Sequence, residues 1–266
     1  MTIWSPSAQS IPQPMSVNIQ KLSPAERVLW GYGILEPPDI DLEAIAFDTG
    51  AEVLYRPLAG CEARLVVRGE RAIISLKPNG NKGRQRFSLA HELAHWIGDR
   101  GSGSFLCAKE DLEPKDHSAK ILEARANDFA SQLILPNYLV DPRLKGQAAT
   151  LDAASSLAET FNTSLTAAAI KIMKRTDETA CLLCHSQSGL SWFLKSIRVP
   201  SDYYLRPNLH PESDAYSVAV HGLTGMSRPK IEPASYWISH RSISSLTVTT
   251  QSVRLPDGRV LSMIEI

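Results

Sequence analysis

Residues 84–99 read RQRFSLAHELAHWIGD, and this stretch decides the fold. Its apolar residues recur at the three- and four-residue spacing of a helix with one buried face. They are Phe87, Leu89, Leu93, Trp96 and Ile97. A glycine at position 98 favours the end of the helix there. The stretch therefore predicts a helix that lies inside a folded domain.

Three polar residues interrupt this apolar face and form an HExxH motif: His91, Glu92 and His95. Positions i and i+4 of a helix lie about 40° apart around its axis, so both imidazoles project from one side. That pair offers two nitrogen ligands to one metal ion, Zn²⁺ or alternatively Mn²⁺. Glu92 lies about 100° around the helix from His91, where it can act as a general base on a metal-activated water without ligating the metal.

A catalytic zinc site needs a third protein ligand and one open position. The apolar periodicity of 118–135 predicts a second helix that ends before Pro136 and carries Glu123 and Asn127 on one face. Glu123 is a candidate ligand, and Asn127 is a candidate to hydrogen bond to a ligating imidazole. The residues alone leave rival ligands open in the intervening loop: Glu110, Asp111, Glu113, Asp116 and His117.

The stretch RQRFSLAHELAHWIGD, followed by EARANDFASQLILP at 123–136, resembles the ImmA/IrrE family of metallo-endopeptidases. The resemblance extends over 21–175. It implies that His91, His95 and Glu123 bind the metal, that Glu92 is the general base, and that Asn127 supports a ligand. It also implies a protein substrate, a helix-turn-helix transcriptional repressor encoded nearby. The chain carries Arg125 where family members often have an acidic residue.

The pattern of the remaining chain predicts an α+β protein. A flexible tail at 1–20 precedes a zincin-like peptidase domain at 21–148, which has a small sheet and the active-site helix. A helix-turn-helix-like pair occupies 149–177, and a β-rich domain occupies 178–266. Within that last domain we expect strands that include the run YSVAV at 216–220.

Composition and further motifs narrow the function classes. The 28 basic and 28 acidic residues give no net charge, which disfavours general nucleic-acid binding. In the helix-turn-helix-like pair the basic residues are Lys171, Lys174 and Arg175. They lie at the C-terminal end of the second helix, whereas bases are usually read from the N-terminal end. Packing is therefore the favoured role, and DNA binding is not expected. The motif Cys181-Leu-Leu-Cys184-His185 resembles haem attachment, but an alternating buried strand explains it better.

No secretory signal or membrane-spanning run is visible, and the few cysteines fit a reducing compartment, so we expect a cytoplasmic protein. The sequence predicts a metal-dependent endopeptidase that cleaves a dedicated protein substrate. The alternative is a DNA-binding or ligand-sensing regulator whose metal site is structural. His117 and Tyr138 flank the two predicted metal helices and are candidates to donate a hydrogen bond to the oxyanion of the reaction.

Overall fold

The computed structural model describes residues 17–78, 80–98, 117–221 and 225–266. The predicted tail lies outside these residues except for its last four, where a short 3₁₀ helix begins at Ile19. The predicted loop between the two metal helices also lies outside them, apart from its end at His117, where α4 begins. None of the described helices is both long and apolar enough to cross a bilayer.

The first part of the described chain contains a three-stranded sheet and seven α-helices. Strand β3 is central, parallel to β1 and antiparallel to β2, so β2 lies at one edge of the sheet. The elements are α1 (Pro24–Gly31), α2 (Leu42–Asp48), β1 (Ala51–Tyr55), β2 (Ala63–Arg68), β3 (Arg71–Leu76), α3 (Lys82–Gly98), α4 (His117–Ile134), α5 (Asn137–Leu144), α6 (Leu151–Thr160) and α7 (Leu165–Arg175).

The second part of the described chain is built on a five-stranded antiparallel sheet with the strand order β5-β4-β10-β9-β7. Two short strands, β6 and β8, form a separate ribbon. The elements are β4 (Ala180–Ser186), β5 (Gly189–Lys195), β6 (Tyr204–Leu205), α8 (Asp214–His221), β7 (Lys230–Pro233), β8 (Ile238–Ser239), β9 (Thr247–Arg254) and β10 (Val260–Glu265). Together, the two parts confirm the predicted α+β class.

Local sequence explains how the first helices begin. Ser23 and Glu26 form a reciprocal capping box, and Pro24 occupies the first turn, where its missing N–H costs nothing. The carboxylate of Glu26 also accepts a hydrogen bond from the backbone N–H of Asn137, at 2.6 Å. This buried carboxylate therefore ties α1 to the start of α5.

The YSVAV run is a helix, α8, so the strand predicted there is wrong. The hydroxyl of Ser213 accepts a hydrogen bond from the backbone N–H of Tyr216, at 3.2 Å, and so caps the first helical turn. Ala215 and Val218 are buried, three residues apart, as on one face of a helix. A run of five residues is too short for its apolar pattern to separate a strand from a helix. Here the serine cap and the packing of α8 on β9 decide for the helix.

The five-stranded sheet separates two apolar cores. Leu182 and Cys184 of β4 belong to the core that also contains α3, α4 and α7, whereas Cys181 and Leu183 point into the second core with α8. The side chain of Gln251 in β9 accepts a hydrogen bond from the backbone N–H of Leu151, at 2.9 Å, and so caps α6. One face of this sheet is therefore part of the core that also contains α3 and α4.

The turn between α6 and α7 packs directly on the first turn of α3. A Cβ atom added at Gly83 would lie 2.5 Å from the backbone of Thr163 and 2.5 Å from that of Ser164. Real Cβ atoms do not approach backbone so closely, and backbone atoms cannot move aside without disturbing both helices. The glycine at position 83 is what allows the helix-turn-helix-like pair to dock here.

We therefore expect Gly83→Ala to destabilise the protein by about 1–3 kcal/mol, despite the higher helix propensity of alanine. Gly98 is the matched control, because it lies in the same helix and an added Cβ would meet no atom within 4 Å. Urea unfolding of both variants measures the difference. Equal stability of Gly83→Ala and Gly98→Ala would contradict the close packing described here.

Candidate metal centre

The site is formed where α3 and α4 pack against each other. Leu89, Leu93 and Trp96 are buried under α3, as the apolar pattern predicts. The indole N–H of Trp96 donates to the backbone carbonyl of Thr49, at 3.0 Å, which fixes the C-terminal half of α3 to the end of α2. These contacts fix the buried face of α3 and, with it, the position of the HExxH residues.

The structure brings three of the candidate residues together. The Nε2 atoms of His91 and His95 lie 3.2 Å apart. The carboxylate oxygens of Glu123 lie 3.3 Å from Nε2 of His91 and 3.4 Å from Nε2 of His95. In the described part of the chain, these side chains form a group whose ligand atoms all lie within 4.8 Å of one another.

These distances fit one metal ion. An ion bound tetrahedrally at about 2.0–2.1 Å from each donor atom separates the donors by about 3.3 Å. The observed separations of 3.2, 3.3 and 3.4 Å are close to that value, with one carboxylate oxygen of Glu123 facing each imidazole. Two imidazoles and one carboxylate are also the donor set that a catalytic zinc site uses, and this set accepts manganese as well.

The position of Asn127 agrees with its predicted supporting role. Its Oδ1 atom lies 3.1 Å from Nδ1 of His91. If the ring N–H donates to this amide oxygen, the lone pair of Nε2 is directed at the triangle of donor atoms. Asn127 lies one turn after Glu123 on α4, so one helix supplies both a ligand candidate and the residue that orients another.

The side chains of the candidate site are buried to different degrees. The side chains of His91 and His95 are 12% and 7% exposed, whereas that of Glu123 is 42% exposed. Glu92 follows His91 in α3 and is 4% exposed. Among the described residues, the site is therefore closed around the histidines and open beside Glu123.

Residues 46–173 match the model of the peptidase family M78, described as the IrrE N-terminal-like domain. This segment of 128 residues, just under half of the chain, is therefore similar to that domain. The match confirms the predicted resemblance to ImmA/IrrE proteins. It includes α3, α4, α6 and most of α7, so every side chain of the candidate metal centre lies inside the matched segment.

A solved structure shows the same fold over more of the chain. A Mycobacterium tuberculosis transcriptional regulator is 13% identical in sequence, with a TM-score of 0.59. The superposition covers 91% of this chain and 85% of the regulator, so it reaches beyond the M78 domain into the C-terminal sheet. No curated protein sequence matches the chain.

The hydroxyl and the ring of Tyr138 are both engaged by groups from the N-terminal part of the described chain. Its hydroxyl donates to the backbone carbonyl of Ile34, at 2.8 Å, and its ring packs edge-on against Trp30. Burial and the nearby carboxylates of Glu26 and Asp39 raise the pKa of Tyr138 above its ordinary value. The tyrosine joins α5 to α1, and its role as a donor to the oxyanion stays a prediction.

The rival ligands predicted in the loop before α4 lie outside the described residues, as does the side chain of His117. A residue that the sequence reasoning overlooked is Arg86, one turn before His91. Its guanidinium donates to the backbone carbonyl of Ile40, at 2.7 Å, and so anchors α3 to the start of α2, whereas Trp96 anchors it to the end of α2. An arginine within an apolar helical pattern was the signal, since a partly buried guanidinium requires a partner.

The Cys181-Leu-Leu-Cys184-His185 motif forms no site. The two cysteines point to opposite faces of β4, Cys181 into the second core and Cys184 into the first. Burial raises the pKa of Cys181 to about 12, so its thiol stays protonated and unreactive. The strand explanation of this motif therefore holds, because two thiols on opposite faces cannot act as a pair.

Proposed function

We propose that the protein is a cytoplasmic, metal-dependent endopeptidase that cleaves a dedicated protein substrate, a helix-turn-helix repressor. The observation that carries this proposal is the triangle of donor atoms from His91, His95 and Glu123 beside a buried Glu92. A structural metal site has all its positions filled by protein, whereas the described residues provide three ligands here and Glu123 is 42% exposed.

A bound zinc ion would supply Lewis acidity, which polarises the substrate carbonyl and makes water acidic near neutral pH. Glu92 would take the proton from the attacking water and later deliver it to the leaving amine. Asn127 would keep the imidazole of His91 in the orientation that binding requires.

The edge strand β2 offers a place for the substrate backbone. Helix α3, which carries the HExxH residues, packs on β2 and β3, and β2 is one of the two edge strands of this sheet. An extended peptide can pair with such an edge through backbone hydrogen bonds, which give affinity without demanding a particular sequence. Selectivity for one substrate must then come from surfaces outside this pairing.

The alternative of a DNA-reading regulator is disfavoured by the contacts of α7. Bases are read from the N-terminal end of a recognition helix, and here that end lies against α3 at Gly83. Lys171 is 3% exposed and donates to Gln132 in α4, and Arg175 forms an ion pair with Asp141. Two of the three basic side chains therefore hold α7 to α4 and α5.

The test is to incubate the metal-loaded protein with casein and with helix-turn-helix repressors encoded beside its gene, and to map fragments by mass spectrometry. We expect a single cut in one repressor, in a linker or a loosened helix, and slow or no cleavage of casein. A chelator should stop the cut. Rapid cleavage of casein at many sites would contradict a dedicated substrate, and cleavage that survives the chelator would contradict the metal mechanism.

A further inference from the structure

The three-stranded sheet has an outer face that points away from the metal helices. On its inner face, Leu65 and Ile74 are buried in the main core. The alternate residues of β2 and β3 point outward, and their register pairs Val66 with Ile73 and Arg68 with Arg71. The outer face therefore combines aliphatic and basic side chains in adjacent rows.

The aliphatic pair on this face is exposed to solvent. Val66 is 48% exposed and Ile73 is 37% exposed, and neither belongs to an apolar core. The two residues lie directly opposite each other on neighbouring strands, so they form one continuous apolar spot in the middle of the face. Contiguous exposed apolar surface is a mark of interaction sites.

Positive charge surrounds this apolar spot. The exposed arginines of the face are Arg56, Arg64, Arg68 and Arg71. Arg56 reaches across the face, and its Nε–H donates to the hydroxyl of Ser75, at 2.9 Å. The opposing charges are Glu52, which pairs in register with Ile73, Glu62, two residues before Arg64, and Glu70 in the hairpin turn. The chain as a whole is neutral, so this positive charge is local to the face.

One cross-strand pair on this face is unfavourable to the fold. Arg68 and Arg71 lie directly opposite each other at the end of the β2–β3 hairpin. Like charges in that position destabilise a sheet, and an acidic partner at either place would be favourable. Features that lower stability without a structural gain are concentrated where a protein binds something.

We propose that this face docks an acidic segment of the protein substrate, one that also carries aliphatic residues. Carboxylates would pair with the arginine rows, and an aliphatic side chain would cover Val66 and Ile73. Strand β2 belongs to this face and also forms the sheet edge beside α3. A polypeptide held here therefore keeps its neighbouring residues close to the HExxH helix. Because the occupant is taken to be the substrate, the inference rests on the proposed function.

The chemistry favours a protein segment over a nucleic acid. Single strands bind through aromatic rings on which bases stack. The outward residues of the three described strands include none, and the hydroxyl of Tyr55 is bonded to Glu43 of α2. Glu52, in the row of the apolar spot, would also repel a phosphate backbone.

Binding can be measured by fluorescence anisotropy on the full-length Glu92→Gln protein, which keeps the probe from being cut. The probe is a labelled peptide of alternating glutamate and valine. Its affinity should fall at least about tenfold when Arg64, Arg68 and Arg71 are all replaced by glutamate. The neutral variant, with glutamine at the same three positions, should show a smaller loss and guards against misfolding of the charge-reversed variant.

The matched control reverses three exposed arginines of the C-terminal part, Arg228, Arg241 and Arg254, and so changes the net charge equally. This control should bind the peptide within about twofold of the parent protein, because charges beyond a Debye length are screened. Equal losses in both triple variants, or no binding of the peptide by the parent protein, would overturn the inference. Tighter binding of a labelled thymidine oligonucleotide than of the peptide would overturn it in favour of nucleic acid.

A kinetic readout separates this inference from the proposed function. With a cleaved repressor, charge reversal at the face should raise KM and leave kcat nearly unchanged, since the metal centre is untouched. An unchanged KM would refute the docking face alone. If the intact parent protein cleaves no repressor at all, the proposed function is refuted. The peptide-binding result would still decide whether the face binds acidic segments.

Discussion

Replacing Glu92 by glutamine should abolish peptide-bond cleavage while the protein keeps its full metal content. The substitution preserves the size of the side chain, so the buried position next to His91 is still filled. It removes the one group at this position that can accept a proton from water. A general base contributes about 10²- to 10⁴-fold to such a reaction, so kcat should fall by that factor.

The metal content of the Glu92→Gln protein is the internal control, because the three ligand candidates are unchanged. A second control is Glu159→Gln, which makes the same chemical change at an exposed position of α6. It should cleave the substrate at the rate of the parent protein. If Glu92→Gln cleaves normally with metal bound, then Glu92 is not the base and the proposed mechanism is wrong.

The helix that carries His91 and His95 could be predicted from sequence because its information is local. Apolar periodicity, the four-residue spacing of the histidines and the glycine at position 98 all lie within one stretch. The third corner of the triangle was different. Glu123 lies 32 residues after His91, and its spacing to Asn127 alone left five rivals open, so the resemblance to known peptidases was needed to choose it.

The C-terminal part shows where sequence reasoning stops. The change to β-rich composition near residue 178 is visible, but a change of composition says nothing about packing across it. The structure puts Leu182 and Met263 in the same core as the metal helices, and it caps α6 with Gln251. Such contacts join residues about a hundred positions apart, which local patterns cannot reveal.

This shared core bears on the metal centre itself. Helix α7 packs on β4 and β5, and α6 and α7 in turn pack on the first turn of α3 at Gly83. The C-terminal sheet therefore supports the base of the HExxH helix through the helix-turn-helix-like pair. A change in that sheet could reach the metal helices through packed contacts alone, without touching the site.

Removal of any one of the three ligand candidates should remove the metal. The parent protein should hold about one metal ion per chain, because the donor triangle fits one tetrahedral ion. His91→Ala, His95→Ala and Glu123→Ala each leave two donors, which bind zinc too weakly to survive dialysis. We expect each variant to retain less than about a tenth of the parent content, by elemental analysis of dialysed protein.

Asn127→Ala is the graded case. The asparagine contributes no ligand atom, and its amide oxygen lies against Nδ1 of His91. Loss of such a supporting contact weakens zinc binding by about 10- to 100-fold without removing the site. His221→Ala, an exposed histidine at the end of α8, should leave the metal content unchanged and controls for non-specific loss.

Among these variants, Glu123→Ala is the decisive one. His91 and His95 belong to a motif that fixes their geometry, whereas Glu123 reaches the site from another helix and is the most exposed of the three. A bound ion stabilises the folded protein, so a chelator should lower the Tm of the parent protein and leave that of Glu123→Ala unchanged. Full metal content in Glu123→Ala, together with a chelator-sensitive Tm, would contradict its role and assign the third ligand to the loop of residues 110–117.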